Sequence, residues 1–418
     1  MRKAGGNWVD GDRFFDREAE VEALVERVHD GRHTLLTAQR RMGKTSLVRE
    51  TLRRLKEGGE VESLFVDLED AMGPEDVVAE IAAQTLSAQG RWLPIKRTFA
   101  NFLVQAGRRI EELGFADLKV KLRSGIDGGN WKQRGEAVFA ALADHDKPVV
   151  LAIDELPILV NRLLKGQDYR LTPERKRVAD EFLGWLRKAA QAHRRLCLII
   201  SGSISLEPIL RQAGLSTHAN VYSPFELKPW TETTAAHCLA ALAANYQVDL
   251  PEDVRRHMCR MLRCCIPHHI QQFFDYLHED LRRAGRRTAT LEDVHRVYEV
   301  DMLGIRGTID LDHYQSRLAM VLGGGSQRIA IELLTEAAVN GGVLTVESIA
   351  EYERYFWVSG EADLVPVQDV LLLLEHDGYL ARGQDGYAFV SRLVEDWWRV
   401  RFGVTFVPIG RREFSTEG

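Results

Sequence analysis

The sequence predicts an α/β core with a parallel sheet, followed by an all-helical lid and a winged helix. Three observations carry that prediction. Short apolar runs alternate with long helical patterns as far as Leu227, which is how βα units read. Lys228-Pro229-Trp230 breaks the alternation, and from Thr231 to about Val300 only helical periodicity remains. Past residues 304–307, helical segments lead into two short β-like runs joined by Gly383-Gln384-Asp385-Gly386. An Asp-Gly step between such runs signals a hairpin, here the wing. The implied domains are 1–229, 230–305 and 306–418, in keeping with a 418-residue chain at roughly 150 residues per domain.

The apolar runs, in order, are 34–38, 63–66, 149–153, 197–201 and a weaker one in 221–227. The first four are nearly unbroken in apolar character, as strands buried on both faces of a sheet are. Helical patterns over 77–86 and 177–192 separate them, the second opened by Thr172-Pro173, an N-cap hydroxyl followed by proline in the first turn. The helical unit has stops at Leu250-Pro251 and Ile266-Pro267. In the third unit, helices over 328–339, 346–355 and 366–376 precede β-like runs at 379–381 and 387–390, and a last amphipathic helix over 393–401 carries Trp397 and Trp398. Packing against the wing is the reading for that tryptophan pair.

Composition narrows the class. The chain is 45% apolar and 28% charged with net charge −6, ordinary for a folded globular protein and unlike a disordered one. No run reaches the roughly 18 apolar residues of a membrane span. Met1–Gly6 is basic without an apolar stretch behind it, which predicts no secretory leader and a cytoplasmic location. Five cysteines argue against a disulfide framework. Acidity is concentrated at the end: from Arg306 onward there are 10 Arg, no Lys and 17 Asp+Glu.

The chemistry begins where the first apolar run ends, at Ala38-Gln39-Arg40-Arg41-Met42-Gly43-Lys44-Thr45-Ser46. This is the phosphate-binding pattern G-x-x-x-x-G-K-[ST] with Ala38 in place of the first glycine. In such a loop, backbone N–H groups and the following helix N-terminus cradle phosphate oxygens. Lys44 then reaches the β- and γ-phosphates, and the Thr45 hydroxyl is a Mg2+ ligand. The run 149–153 ends in Asp154-Glu155, two carboxylates at the tip of a buried strand. Asp154 is expected to hold Mg2+ and Glu155 to polarise the attacking water as general base. That pairing marks the additional-strand class of P-loop ATPases, with ATP and Mg2+ as cofactors. The run 197–201 ends in Ser201-Gly202-Ser203, placing Ser201 or Ser203 as a sensor near the γ-phosphate.

Together with the opening Phe14-Phe15-Asp16-Arg17-Glu18-Ala19-Glu20 and with Ile153-Asp154-Glu155-Leu156, these segments resemble the archaeal-type ATPases. That family belongs to the AAA/STAND-like P-loop ATPases and has bacterial members. The resemblance extends to the lid and winged helix, so it covers nearly the whole chain. It implies that Phe15, Asp16 and Arg17 pack beside the adenine, and that Pro267, in a Gly-x-Pro-like lid turn, closes over the base. Cys265 stands where the family has glycine. No arginine finger carries over; Arg194, Arg195 and Arg211 are candidates only by position. The absence of an Asn/Thr-Lys-x-Asp guanine-reading motif favours ATP.

Cys259, Cys264, Cys265, His268 and His269 invite a zinc reading, but the adjacent pairs do not fit ligand spacing, and helical packing is the expectation. Basic clusters at Arg175-Lys176-Arg177, Arg194-Arg195, Arg282-Arg283 and Arg286-Arg287 read as solvated helix faces. Between Arg354 and Arg382 there is no Lys or Arg, while Glu361, Asp363, Asp369, Glu375 and Asp377 fall there. That is the wrong charge for a recognition helix on a phosphate backbone. The sequence therefore predicts a regulatory ATPase, slow until its partner engages, that acts on a protein client through lid and winged helix. The alternatives are a DNA-directed ATPase forming a homo-oligomer around nucleic acid, with a mobile-element or defence-related setting, and a non-hydrolysing nucleotide-binding scaffold.

Overall fold

The computed structural model describes residues 8–9, 11, 14–87, 115–358 and 364–412. The opening Met1–Gly6, and Glu361 and Asp363 of the acidic stretch, lie outside them. The chain divides into two compact bodies, one of residues 17–37 and 44–227, the other of 1–16, 38–43 and 228–418.

The first body holds five parallel strands: β1 (Thr34–Thr37), β2 (Glu62–Asp67), β3 (Val149–Asp154), β4 (Leu196–Ser201) and β5 (Ser223–Glu226). Their order is β2-β3-β4-β1-β5, so β4 is inserted between the strand that feeds the loop 38–43 and the strand that carries Asp154. All five apolar runs of the sequence are strands. Every residue of β3 and β4 is buried, as a parallel sheet covered by its crossover helices requires. In the crossovers, Phe139 and Trp131 meet Trp185 edge to face, centred 5.1 and 5.4 Å from it, and Phe182 packs at a tilt against both tryptophans. Such pairs add about 0.5–1.5 kcal/mol each beyond their buried area. Helix Pro173–Ala192 starts as expected, the Thr172 side chain accepting from Arg175 N.

In the second body, helices Glu232–Tyr246, Glu252–Leu262, Pro267–Arg283 and Leu291–Val297 follow one another. The last opens with a reciprocal capping box between Thr290 and Asp293. A π-turn at Tyr298–Met302 then runs into helix Ile305–Val339. The 304–307 stretch is thus the start of a helix capped by Gly304, and the helix foreseen over 328–339 begins much earlier. It carries a non-helical residue, Gly323, at φ 76° and ψ 173°. Three further helices, Val346–Val358, Val367–His376 and Arg392–Phe402, flank an antiparallel sheet of β6 (Val343–Thr345), β7 (Leu380–Gly383) and β8 (Gly386–Phe389), in the order β6-β8-β7. Gly383 pairs with Gly386, so the two-residue loop is Gln384-Asp385 and not Asp385-Gly386; the glycine sits in the strand at φ 129°. Trp397 and Trp398 are buried, and Trp398 Nε1 donates to Thr335 Oγ1 at 3.1 Å. Among the described residues, no helix is long and apolar enough to cross a membrane.

Candidate active site

In the first body, parallel strands end side by side, so residues far apart in sequence meet at one edge of the sheet. β1 delivers the loop that runs directly into helix Lys44–Gly58, putting Lys44 and Thr45 in its first turn. β3 delivers Asp154 at its last position, and β4 delivers Ser201. The side chains close a network there. Thr45 Oγ1 donates to Asp154 Oδ2 at 2.8 Å. Ser201 Oγ donates to Asp154 Oδ1 at 2.7 Å, and Glu155 N donates to the same oxygen at 3.1 Å. Asp154 is only 4% exposed, and a carboxylate buried this far needs such partners.

Glu155 stands in the left-handed region at φ 59°, as N-cap of helix Leu156–Lys165. A non-glycine residue there costs about 1–3 kcal/mol and persists only when its surroundings fix it. Its Oε2 accepts from Ser203 N at 2.9 Å and from Ser203 Oγ at 2.7 Å. Between the two serines, Gly202 lets the tip of β4 approach helix Leu156–Lys165. A Cβ there would lie 2.5 and 2.7 Å from Pro157 Cδ and Cγ.

The structure thus brings Thr45, Asp154, Glu155, Ser201 and Ser203 together. Lys44 and Ser46 are buried in the same helix, and Arg17 is buried with its guanidinium on Glu20 at 2.7 Å. The other expected residues belong to the second body. Phe15 meets Trp230 edge to face at 5.7 Å, and Asp16 has φ 42°. Loop residues Gln39, Arg40, Arg41, Met42 and Gly43 include two with left-handed backbone, Arg41 and Gly43, and a buried side chain, Met42. Pro267 opens helix Pro267–Arg283.

Sequence reasoning missed Asp67. It ends β2 in register with Asp154, exposed at the strand tip; partial desolvation and, less strongly, the Asp154 charge raise its carboxyl above the usual range. Its signal was present, an acid closing the apolar run next to the one that ends in Asp154. The five cysteines are buried. Cys259 and Cys265 share a thiol–thiol hydrogen bond that holds Cys259 protonated, and burial pushes the Cys264 thiol up to about 12.

The donor set at the sheet edge is a threonine hydroxyl and a carboxylate, both hard oxygens and already adjacent, which fits Mg2+. A flanking carboxylate held by a second hydroxyl fits a residue that orders water and takes its proton.

Residues 27–210 match the family described as the AAA domain. Among solved structures, the chain is similar to the Walker-type ATPase of Pyrococcus abyssi, with TM-score 0.57 and 18% identity over 94% of this chain and 98% of that one. It also matches the ORC2 protein of Aeropyrum pernix in ADPNP–ADP complexes, with TM-score 0.48 and 13% identity over 94% of this chain and 98% of that one. No curated protein matches the chain. The likeness to the Pyrococcus protein is one of fold, a P-loop α/β core, and the match to the AAA domain is confined to residues 27–210.

Proposed function

Starting from an AAA-type P-loop domain at residues 27–210, we propose that the protein binds ATP with Mg2+, hydrolyses it slowly, and acts as a regulatory switch on a protein client. The observation that carries the catalytic half is the Thr45–Asp154–Ser201 network beside the Glu155–Ser203 pair. Lys44 contacts the β- and γ-phosphates, with the loop N–H groups of Gln39 to Gly43 around them. Thr45 and Asp154 hold Mg2+, which when bound neutralises charge on the transferring phosphoryl group. Glu155 accepts the proton of the attacking water, and Ser203 keeps its carboxylate aimed. Ser201, on the same Asp154 oxygen as Glu155 N, ties the tip of β4 to the metal-holding carboxylate, which supports its sensor role. Phe15, Asp16, Arg17 and Pro267 are the proposed adenine-side residues.

The regulatory half rests on the C-terminal region. The order helix, β6, two helices, β7–β8 hairpin supports a winged helix over 306–418. Its second and third helices, Val346–Val358 and Val367–His376, carry Glu347, Glu351, Glu353, Asp369 and Glu375 against one arginine, Arg354, and no lysine. That balance supports a protein client over a phosphate backbone. Steady-state ATP hydrolysis, with and without duplex and single-stranded DNA, tests the reading. Turnover indifferent to DNA and lost in Glu155→Gln supports the switch. Strong DNA stimulation with a steep salt dependence would replace it with a DNA-directed ATPase.

A further inference from the structure

Around the loop 38–43, the second body gathers buried polar atoms that make no hydrogen bond: Arg41 Nε, His268 Nε2, both ring nitrogens of His269, and His313 Nε2. His269 is 1% exposed. These residues share one neighbourhood. His268 N donates to Arg41 O at 3.4 Å, the His268 and His269 rings are centred 6.1 Å apart, and His269 and His313 both flank Tyr314. The loop is pressed closely on this body: a Cβ on Gly378 would lie 2.0–2.1 Å from the Gln39 side chain. Buried polar groups are normally satisfied by protein, water or a bound ion, and several together around one loop mark a polar place that an ion can fill. Arg40 and Arg41 exclude a cation as that ion, and an apolar group would leave the nitrogens unmade. An oxyanion accepts from Arg41 Nε and from every ring nitrogen that bears a proton.

We propose that His268, His269 and His313, with Arg41, form an oxyanion-reading site whose ligand is a phosphate group held at the loop 38–43. Helices Pro267–Arg283 and Ile305–Val339 thereby register whether the loop is filled. The inference rests on the nucleotide-binding reading above and adds residues to it. His313 makes it sharply testable. Its Nδ1 faces the Asp310 carbonyl, which can only accept, so Nδ1 carries the proton and Nε2 bears one only in the imidazolium. A fully ionised phosphate oxygen needs a donor there, so binding must bring a proton. Without an anion the ring is neutral: burial, then Arg40 and Arg41, hold His313 at about 2. The other groups facing this neighbourhood are His268, His269, Cys264, Tyr314 and Tyr379, with Arg317 and Asp377 beside Tyr379. The Asp310 carboxylate is engaged by Gln272 and Tyr276.

The test is calorimetric titration of the full chain at pH 7 with ADP, ATPγS and inorganic phosphate, in two buffers of different ionisation enthalpy. The expected result is net proton uptake on binding. His313→Gln should bind roughly ten- to hundred-fold more weakly and take up fewer protons, with His313→Asn as a second variant and ligand-free melting to confirm that each is folded. Uptake with phosphate alone identifies a free anion as sufficient; uptake only with nucleotide identifies the nucleotide's own phosphate. Either supports the site. Wild-type affinity and proton count in both variants would overturn it. So would nucleotide binding without uptake, which would leave the nucleotide-binding reading standing. A wild-type chain that binds none of the three ligands would overturn both.

Discussion

The Thr45 hydroxyl donates to Asp154 Oδ2 at 2.8 Å across a separation of 109 residues. The strand order makes the contact: β1 and β3 both end at this edge of the sheet, and β4, between them, adds Ser201 to the other carboxylate oxygen. One carboxylate is thus held at both oxygens, and this geometry leads to specific expectations.

Asp154→Asn keeps the shape but removes the charge. Mg2+-dependent hydrolysis should fall at least about 100-fold, because metal neutralisation of the phosphoryl charge is the main contribution of such a site. ADP binding without Mg2+ should change by less than roughly threefold. Turnover assays with a fluorescent-ADP titration read both.

Ser203→Ala removes the hydroxyl at 2.7 Å from Glu155 Oε2 and leaves the backbone bond at 2.9 Å. One hydrogen bond to a charged group is worth about 1.5–3 kcal/mol, and the remaining bond retains part of the orientation. Turnover should drop roughly tenfold with ATP affinity unchanged. A loss in affinity instead of rate would place Ser203 on the nucleotide.

Gly202→Ala puts a methyl 2.5 Å from Pro157 Cδ, a rigid ring in the first turn of a buried helix. Overpacking of this kind costs about 1–3 kcal/mol, so the urea midpoint should fall while the slope stays constant. Because the clash lies between Ser201 and Ser203, hydrolysis should fall with it.

Acid should destabilise the ligand-free protein between pH 7 and 5. Burial first, and then nearby arginines, hold His268 at about 3 and His313 at about 2, with His269 well below its ordinary value. The unfolded chain binds protons near pH 6.5 and the folded chain does not. Stability is therefore full above that value and lost as pH falls through it, by up to about 1.4 kcal/mol per pH unit per histidine. Urea unfolding across this window should show the loss, and His269→Gln should flatten it.

Much of this was legible in the sequence because it depends on local pattern. β3 and β4 are nearly unbroken apolar runs, the pattern of a strand buried on both faces, and their shortness argues against helix. Thr45 and Asp154 were assigned to one metal by chemistry alone, and the strand order makes them neighbours. What was not legible depends on backbone detail or tertiary company. Residues 304–307 read only as a stretch leading into the third unit, yet Thr308 N donates to Gly304 O at 2.9 Å and the helix starts there. The Asp385-Gly386 hairpin signal was correct in kind and one residue off in register, since Gly386 is used at φ 129° inside β8. Asp67 gained interest only once strand pairing set it beside Asp154. His313 carries no motif, and only the fold brings it to His269.

The most direct test of the central claim is a single-turnover comparison of wild type and Glu155→Gln, with ATP binding measured on the same samples. The account predicts that Glu155→Gln binds ATP within about threefold of wild type and hydrolyses it at least roughly 100-fold more slowly. Equal turnover in the two proteins, or a variant that no longer binds ATP, would contradict it.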